Sequence, residues 1–193
     1  MGNLLPSGAL GRQLTWNDFS RHNHPAPPPG KKAAAARTIV HRLISPSKFH
    51  FKRAAYLRPP NFKMVEDPDI TIQFDKNSWV ENWVFTKPMA FQTSLLAHEQ
   101  GHYDIGSLNA SDFFTELEFI NGSAFATARA GFAAVRDLDR RLGPVQPIHD
   151  KYDRDTDNGL NAGPQASWTA ALANARLPTN TLLGSLSAAG LYP

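Results

Sequence analysis

The sequence contains no cysteine in its 193 residues. Disulfide bonds and thiolate metal ligands are therefore excluded, so a metal site has to use histidine, aspartate, glutamate or weaker oxygen ligands. The sequence also lacks an apolar run of roughly 18 or more residues, and we expect no membrane-spanning helix. Its first residues lack the basic start and the long apolar stretch of a signal peptide, which leaves the compartment undetermined.

Acidic residues are missing from one long segment. Ten lysine or arginine residues and no aspartate or glutamate lie between Arg21 and Lys63, in a chain whose net charge is +3. Such a block can favour anionic partners, although a solvated face of a strand pair explains it more simply. Because no zinc-finger, helix-turn-helix or RNA-binding signature accompanies the block, we expect no specific nucleic-acid partner.

The first half of the chain has the pattern of short strands. Residues 37–44 and 49–57 alternate in part, and residues 69–74 alternate cleanly between apolar and polar side chains. Residues 78–85 are apolar enough for another strand or for a loop over the core. We therefore predict a small, mainly antiparallel sheet of three or four strands.

The second half has helical periodicity. We predict helical segments at residues 89–105, 111–119, 124–142 and about 164–175, with Gly143-Pro144 ending the third. Strands followed by helices indicate an α+β fold.

The domain limits follow from these patterns. We expect a loose leader at residues 1–13, one domain at residues 14–175 and a tail at residues 176–193. The apolar residues Leu14, Trp16 and Phe19 are expected to dock the start of this domain onto its core.

The stretch from His98 to His102 carries the chemistry. It reads His-Glu-Gln-Gly-His, so the two histidines are four residues apart and share one helix face, where both imidazoles can bind one metal ion. Glu99 is angled toward the same cleft, where it can act as general base on a water that the metal activates. This pattern predicts a metallopeptidase that uses Zn²⁺ to hydrolyse peptide bonds in a protein or peptide substrate.

Two neighbours of the motif add detail. A glycine inside a helix costs about 1 kcal/mol relative to alanine, so Gly101 indicates that another group passes close to the helix. Asp104 follows His102 by two residues and would point to nearly the opposite side of the helix. We interpret Asp104 as a supporting or structural acid and not as a ligand.

Four segments of the chain resemble, in the same order, four motifs of the bacterial DUF922 proteins, which are identified as zinc-dependent proteases. Residues 14–19 resemble the opening motif of that family, and residues 78–80 resemble its Ser-Trp element. Residues 98–105 resemble the signature motif, and residues 152–168 resemble the closing motif. The resemblance implies a zincin-like metallopeptidase domain with His98 and His102 as metal ligands and Glu99 as general base. It also implies export to the periplasm or the exterior.

The closing motif departs from the family pattern Tyr-Asp-x-Glu-Thr-x-His-Gly. Asp155 stands in place of the glutamate, and Asn158 stands in place of the histidine. An amide oxygen is a poor zinc ligand, because zinc prefers imidazole, thiolate and carboxylate. This departure supports an alternative hypothesis, in which the chain is an inactive or metal-poor relative that acts as a binding protein.

The third metal ligand is open, since a catalytic zinc site usually has three protein ligands. Asp153 is favoured because an acid at this position fits the family pattern and its oxygen is a competent ligand, although a helix cap or turn is its simpler role. Tyr152 is a candidate donor to the oxyanion of the reaction, unless it is a packed aromatic. The other candidates for the third ligand are Glu116, Glu118, His149, Asp157 and Asn158.

A second pair of histidines, His22 and His24, precedes the proline-rich stretch at residues 25–30. Proline runs favour an extended, polyproline-like backbone. Histidines two residues apart can bind a metal weakly, yet beside such a run we interpret them as exposed chain.

Overall fold

The computed structural model of the chain describes residues 10–26, 28, 34–44, 49–54, 61–65 and 70–192. Within these ranges the protein is α+β, as predicted, with seven short strands followed by five α-helices. None of the described helices is long and apolar enough to cross a lipid bilayer. Residues 1–9, most of the predicted leader, lie outside the described ranges.

The described strands form three small sheets, whereas the sequence predicts a single sheet. In chain order they are β1 (Ser20–His22), β2 (Ala36–Arg37), β3 (Val40–Ile44), β4 (Phe51–Ala54), β5 (Asn61–Met64), β6 (Ile70–Phe74) and β7 (Trp79–Glu81). In the first sheet β7 lies between β1, which is parallel to it, and β2, which is antiparallel. The antiparallel pairs β3–β6 and β4–β5 form the other two sheets.

Strand β6 corresponds to the strand that the sequence predicts at residues 69–74. Within β6 the predicted alternation is present, since Ile70 is buried while Thr71 and Gln73 are exposed. The local sequence pattern therefore predicts this strand, but it does not predict which strands pair with one another in a sheet.

The five helices are α1 (Met89–Gly122), α2 (Ala128–Leu142), α3 (Gln146–Thr156), α4 (Ala162–Ala175) and α5 (Leu182–Ala188). Helix α1 is continuous over 34 residues, where the sequence predicts two segments. Helix α3 was not predicted at all. The sequence predicts a tail at residues 176–193, but the middle of this segment forms α5, in which Leu182 and Leu186 are completely buried.

Helix α1 lies at the centre of the domain and touches all three apolar clusters. Its first turns pack with Leu14, Phe19 and Val80, and its last turns pack with β4, β5 and α2. Between them, Ile105 and Leu108 pack against α3, α4 and α5. A helix that is covered on several sides is expected to lack a single apolar stripe, and the motif residues occupy part of this buried surface.

The start of the domain docks on α1 beside the motif, as predicted. Leu14 and Phe19 are both buried. Gln100 fixes this segment, because its Oε1 accepts a hydrogen bond from the Leu14 N–H at 2.7 Å and its Nε2 donates to the Arg12 carbonyl at 3.0 Å. Arg12, which belongs to the predicted leader, is thus attached to the folded domain.

Candidate metal centre

Helices α1 and α3 bring three potential metal ligands together. His98 Nε2 and His102 Nε2 lie 3.2 Å apart on successive turns of α1. Asp153 Oδ1, from α3, lies 3.1 Å from His98 Nε2 and 2.9 Å from His102 Nε2. Among the described residues, these three side chains form a group that could hold a metal ion.

The spacing of the three atoms fits a tetrahedral ion. With metal–ligand bonds of about 2.0–2.1 Å, neighbouring ligands of a tetrahedral zinc lie about 3.3 Å apart. The three observed separations, from 2.9 to 3.2 Å, are close to this length. The structure thus brings Asp153, the favoured candidate for the third ligand, to both histidines.

Asp153 is ionised, and it is the most exposed of the three candidate ligands. Partial burial raises the pKa of its carboxyl, but hydrogen bonds with His102 and His98 outweigh that effect and hold the pKa well below its usual value. Its side chain is 38% exposed, compared with 3% for His98 and 12% for His102. A metal or substrate can therefore approach from the side of Asp153.

The ring of His98 is held from behind by three side chains. Its Nδ1 lies 3.3 Å from both Gln165 Oε1 and Thr156 Oγ1, and its ring stacks on Tyr152 with 4.7 Å between centroids. An Nδ1–H that donates to Gln165 Oε1 leaves the lone pair on Nε2, the atom beside Asp153. The contacts behind the ring therefore favour the tautomer that a metal needs.

His149 supports the ring of His102. The two Nδ1 atoms lie 2.9 Å apart. Burial, together with the neighbouring His102, lowers the pKa of His149 to about 3, so His149 is neutral at physiological pH. When His102 Nδ1 donates to His149, His102 Nε2 keeps its lone pair. His149, a candidate third ligand from the sequence, thus contacts the far side of His102.

Tyr152 fixes the helix behind the ligands. Its hydroxyl donates to the His98 carbonyl at 3.2 Å and accepts from Gln165 Nε2 at 2.6 Å. Burial raises the pKa of this hydroxyl, so it stays protonated. The side chain is completely buried and packs at a centroid distance of 5.2 Å from Trp168. This placement matches a packed aromatic, and we do not propose Tyr152 as the oxyanion donor.

Gly101 allows Tyr152 to reach α1. A Cβ at this position would lie 2.9 Å from Tyr152 Cε1 and would be closer still to its hydroxyl oxygen. The close approach expected from the glycine is therefore present, and the approaching group is a side chain of α3.

Glu99 and the three ligand candidates line one cavity of about 770 Å³. Glu99 is only 3% exposed, and among the described residues its Oε2 has no hydrogen-bond partner. An unpartnered buried carboxylate oxygen is costly. Its place in the cavity wall is therefore consistent with a partner that the protein acquires on binding.

A left-handed turn after α3 lines the cavity next to His98. Asp157, Asn158 and Gly159 have φ values of 50°, 54° and 82°, in the left-handed region that these three residue types tolerate better than most others. A Cβ on Gly159 would lie 2.7 Å from the Cβ of His98, so only glycine fits there. Asn158, at the position where the DUF922 pattern has histidine, lines the cavity without joining the three ligand atoms.

Two other candidate ligands lie far from the site. Glu116 and Glu118 are exposed on α1. Glu116 follows His102 by 14 residues, which corresponds to about 21 Å along the helix. Asp104 points away from the site and pairs with Arg176 at 2.6 Å, which agrees with its interpretation as a structural acid.

The supporting contacts of Thr156, Gln165 and His149 with the two histidine rings were not predicted from the sequence. Gln165 belongs to the closing motif, but its contact with His98 depends on how α4 packs against α1. The one sequence feature that indicates the left-handed turn after α3 is Asn158-Gly159, because asparagine and glycine favour positive φ.

Comparison of the chain with known protein families, characterised proteins and solved structures finds no match. The functional assignment therefore rests on the geometry of the site and on the motif resemblance.

Proposed function

We propose that the protein is a zinc-dependent metallopeptidase related to the DUF922 proteins, with the HExxH helix of a zincin-like domain. The observation that carries this proposal is the convergence of His98 Nε2, His102 Nε2 and Asp153 Oδ1 within 3.2 Å of one another. A buried carboxylate with an unpartnered oxygen lies in the same cavity wall, at Glu99.

The ligand set suits zinc and leaves one coordination position open for chemistry. Zinc, when bound, would supply Lewis acidity, since it lowers the pKa of water toward about 7 and polarises a carbonyl. His98 and His102 would hold the ion through Nε2, and Asp153 would add one negative charge. Gln165 and His149 would keep the two rings oriented.

Glu99 would be the general base of the reaction. It would accept the proton of the attacking water and then release it to the nitrogen of the departing amine. Its burial favours this role, because a carboxylate that is shielded from bulk water interacts strongly with charge that develops in the cavity. The reaction would be hydrolysis of a peptide bond.

The cavity walls suit a peptide with apolar side chains. Trp83, Phe91 and Leu95 supply apolar surface, while Arg37 and Lys87 supply positive charge at the rim. The extended segment 34–40 also lines the cavity. Apolar surface with a few charged groups is typical of substrate sites.

The test combines metal analysis with a peptide-cleavage assay. The chain, purified without a metal-binding tag, is loaded with Zn²⁺ and incubated with a mixed peptide library, and cleavage is followed by mass spectrometry. Glu99→Gln is expected to lower cleavage at least about 100-fold, because a general base contributes roughly 10²–10⁴ to the rate. Glu118→Gln, an exposed change on the same helix, is the matched control and is expected to retain full activity.

Equal cleavage by the parent and by Glu99→Gln would refute the proposed role of Glu99. His98→Ala/His102→Ala is expected to lose the zinc at this centre. Retention of that zinc by the double variant would refute the assignment of the ligands.

Asn158 supports the alternative function, a relative that binds peptides without cleaving them. It occupies the cavity wall where the family pattern has histidine. In that case the zinc-loaded protein retains library peptides, and the parent and Glu99→Gln proteins both leave them intact. Restoration of cleavage by Asn158→His would identify this position as the cause.

A further inference from the structure

We propose a second metal site at the β1–β7 strand pair, formed by His22, His24 and Glu81 and suited to a divalent transition ion such as Zn²⁺ or Cu²⁺. One ring nitrogen of each histidine and one carboxylate oxygen of Glu81 lie within 4.8 Å of one another. Imidazole and carboxylate together are ligands that such ions accept. This site does not depend on the function of the first metal centre.

His24 and Glu81 already make two contacts. His24 Nδ1 lies 2.7 Å from Glu81 Oε1, and the His24 backbone N–H donates to Glu81 Oε2 at 2.9 Å. The His24 side chain is 75% exposed, whereas that of Glu81 is 3% exposed. The carboxylate is thus buried, and the imidazole that contacts it lies at the surface, where an ion can enter.

His22 is brought to the same place by the sheet. It ends β1, and its residue partner in the parallel ladder with β7 is Glu81. Its ring is stacked on Trp79 at 5.0 Å with an interplanar angle of 8°, and it lies 5.8 Å from the His24 ring. Residues two apart on an extended chain have side chains on the same face, so His22 and His24 can both reach one ion.

The burial of the Glu81 carboxylate is a physical reason to expect a bound cation at this site. A buried carboxylate is costly unless it is paired or coordinates a metal. Among the described residues its side-chain partner is His24 alone, an imidazole that carries a charge only when protonated. A divalent cation would compensate the buried charge at every pH at which the histidines are neutral.

The sequence pattern indicated exposed chain at His22 and His24; His24 is exposed, and both histidines also lie beside the buried Glu81 carboxylate. The ion would fasten the end of β1 to β7 just before the proline-rich stretch. The Glu81 backbone N–H also donates to the Ala35 carbonyl at 2.9 Å, and Ala35 lines the cavity of the first centre. The second site is therefore linked through β7 to the wall of that cavity.

The test uses His98→Ala/His102→Ala, in which the first centre has been removed. Zn²⁺ is titrated into this tag-free variant by calorimetry, and Co²⁺ is added in a parallel sample to record its visible d–d absorption. One equivalent of metal is expected to bind. The further change His22→Ala/His24→Ala is expected to abolish this binding, whereas His41→Ala/His50→Ala, which removes two histidines outside both groups, is expected to leave it unchanged.

Glu81→Gln tests the carboxylate with a side chain of the same shape. It is expected to weaken Zn²⁺ binding at least about tenfold, while circular dichroism shows the parent fold. The parent chain provides an independent measurement, because His22→Ala/His24→Ala is expected to lower its zinc capacity by one equivalent. Absence of any binding in the variant without the first centre, or unchanged capacity after removal of His22 and His24, would overturn the proposal.

Discussion

Gly101 shows how much one residue of the motif depends on a distant partner. A glycine in the middle of a helix signals a close approach, and this much can be inferred from the sequence. The identity of the approaching group, the Tyr152 side chain, could not be inferred, because it comes from α3, a helix that the sequence pattern did not predict. Tyr152 also stacks on His98, so the glycine indirectly supports the candidate metal centre.

Gly101→Ala is expected to destabilise the protein by about 1–3 kcal/mol, the usual cost of forcing extra volume into a packed core. In an unhindered helix the same change would stabilise by about 1 kcal/mol. The free energy of unfolding in urea, measured on metal-free protein, checks the sign. Gly122→Ala is the control, since nothing lies within 4 Å of a Cβ at that end of α1; a gain of stability in Gly101→Ala would contradict the structure.

Helix α5 is an element that the sequence pattern did not reveal, and one hydrogen bond ties its start to α1. The Leu182 N–H donates to Asp112 Oδ2 at 2.8 Å. Burial, aided by the nearby Glu116 and opposed by this hydrogen bond, raises the pKa of Asp112 from 3.8 to about 6. The folded protein therefore binds the proton of Asp112 more tightly than the unfolded chain does.

The raised pKa of Asp112 sets the direction of a pH effect. Its contribution to stability is fully present below about pH 4 and is lost as the pH rises through about 6. Asp112→Asn removes the charge and keeps an acceptor for the Leu182 N–H. We expect the variant to be about 1 kcal/mol more stable than the parent at pH 7.5 and nearly equal to it at pH 4, a modest effect because the carboxyl is partly exposed.

Urea unfolding at several pH values measures this difference. Asp150→Asn, which changes an exposed carboxyl on α3, is the control and is expected to show no such dependence. A variant Asp112→Asn that is less stable than the parent at pH 7.5 would show that the charge itself is needed to hold α5.

Helix α1 explains why element boundaries were only partly predictable. Its length was underestimated because buried polar residues interrupt the apolar pattern, among them Asp104, Ser107 and Asn109. Asp104 is compensated by Arg176 and by Gln100, and Ser107 bonds within the helix. A periodicity argument counts such residues as surface, so it divides a helix that is covered on several sides.

At the scale of the whole molecule, the second half of the domain is held by a cluster around Trp168. Ile105 from α1, Tyr152 from α3 and Leu186 from α5 all pack in this cluster. Helix α5 therefore closes the core that lies behind the candidate metal centre.

Leu186→Ala is expected to destabilise the protein by about 2–5 kcal/mol, because it leaves a cavity in a fully buried cluster. Leu177→Ala removes a leucine that is 53% exposed and is expected to change stability by no more than about 0.5 kcal/mol. Urea or thermal unfolding of the two variants provides the comparison. Equal stability of both variants would restore the interpretation of the C-terminal segment as a tail.

The sequence by itself determined the features that depend on residues close in the chain. The absence of cysteine restricted the ligand types, the order of patterns predicted the α+β class, and the spacing of His98, Glu99 and His102 placed two imidazoles on one helix face. These inferences hold because helix geometry relates residues three or four apart without reference to the rest of the fold.

Only the tertiary structure decided which distant groups meet. Asp153 reaches His98 across 55 residues, Tyr152 fills the space that Gly101 leaves, and Glu81 meets His24 across 57 residues. Each contact depends on how separate elements pack, and packing is set by the complementary shapes of many side chains at once. No local pattern contains that information, so the ligand helix could be read from the sequence while its partners could not.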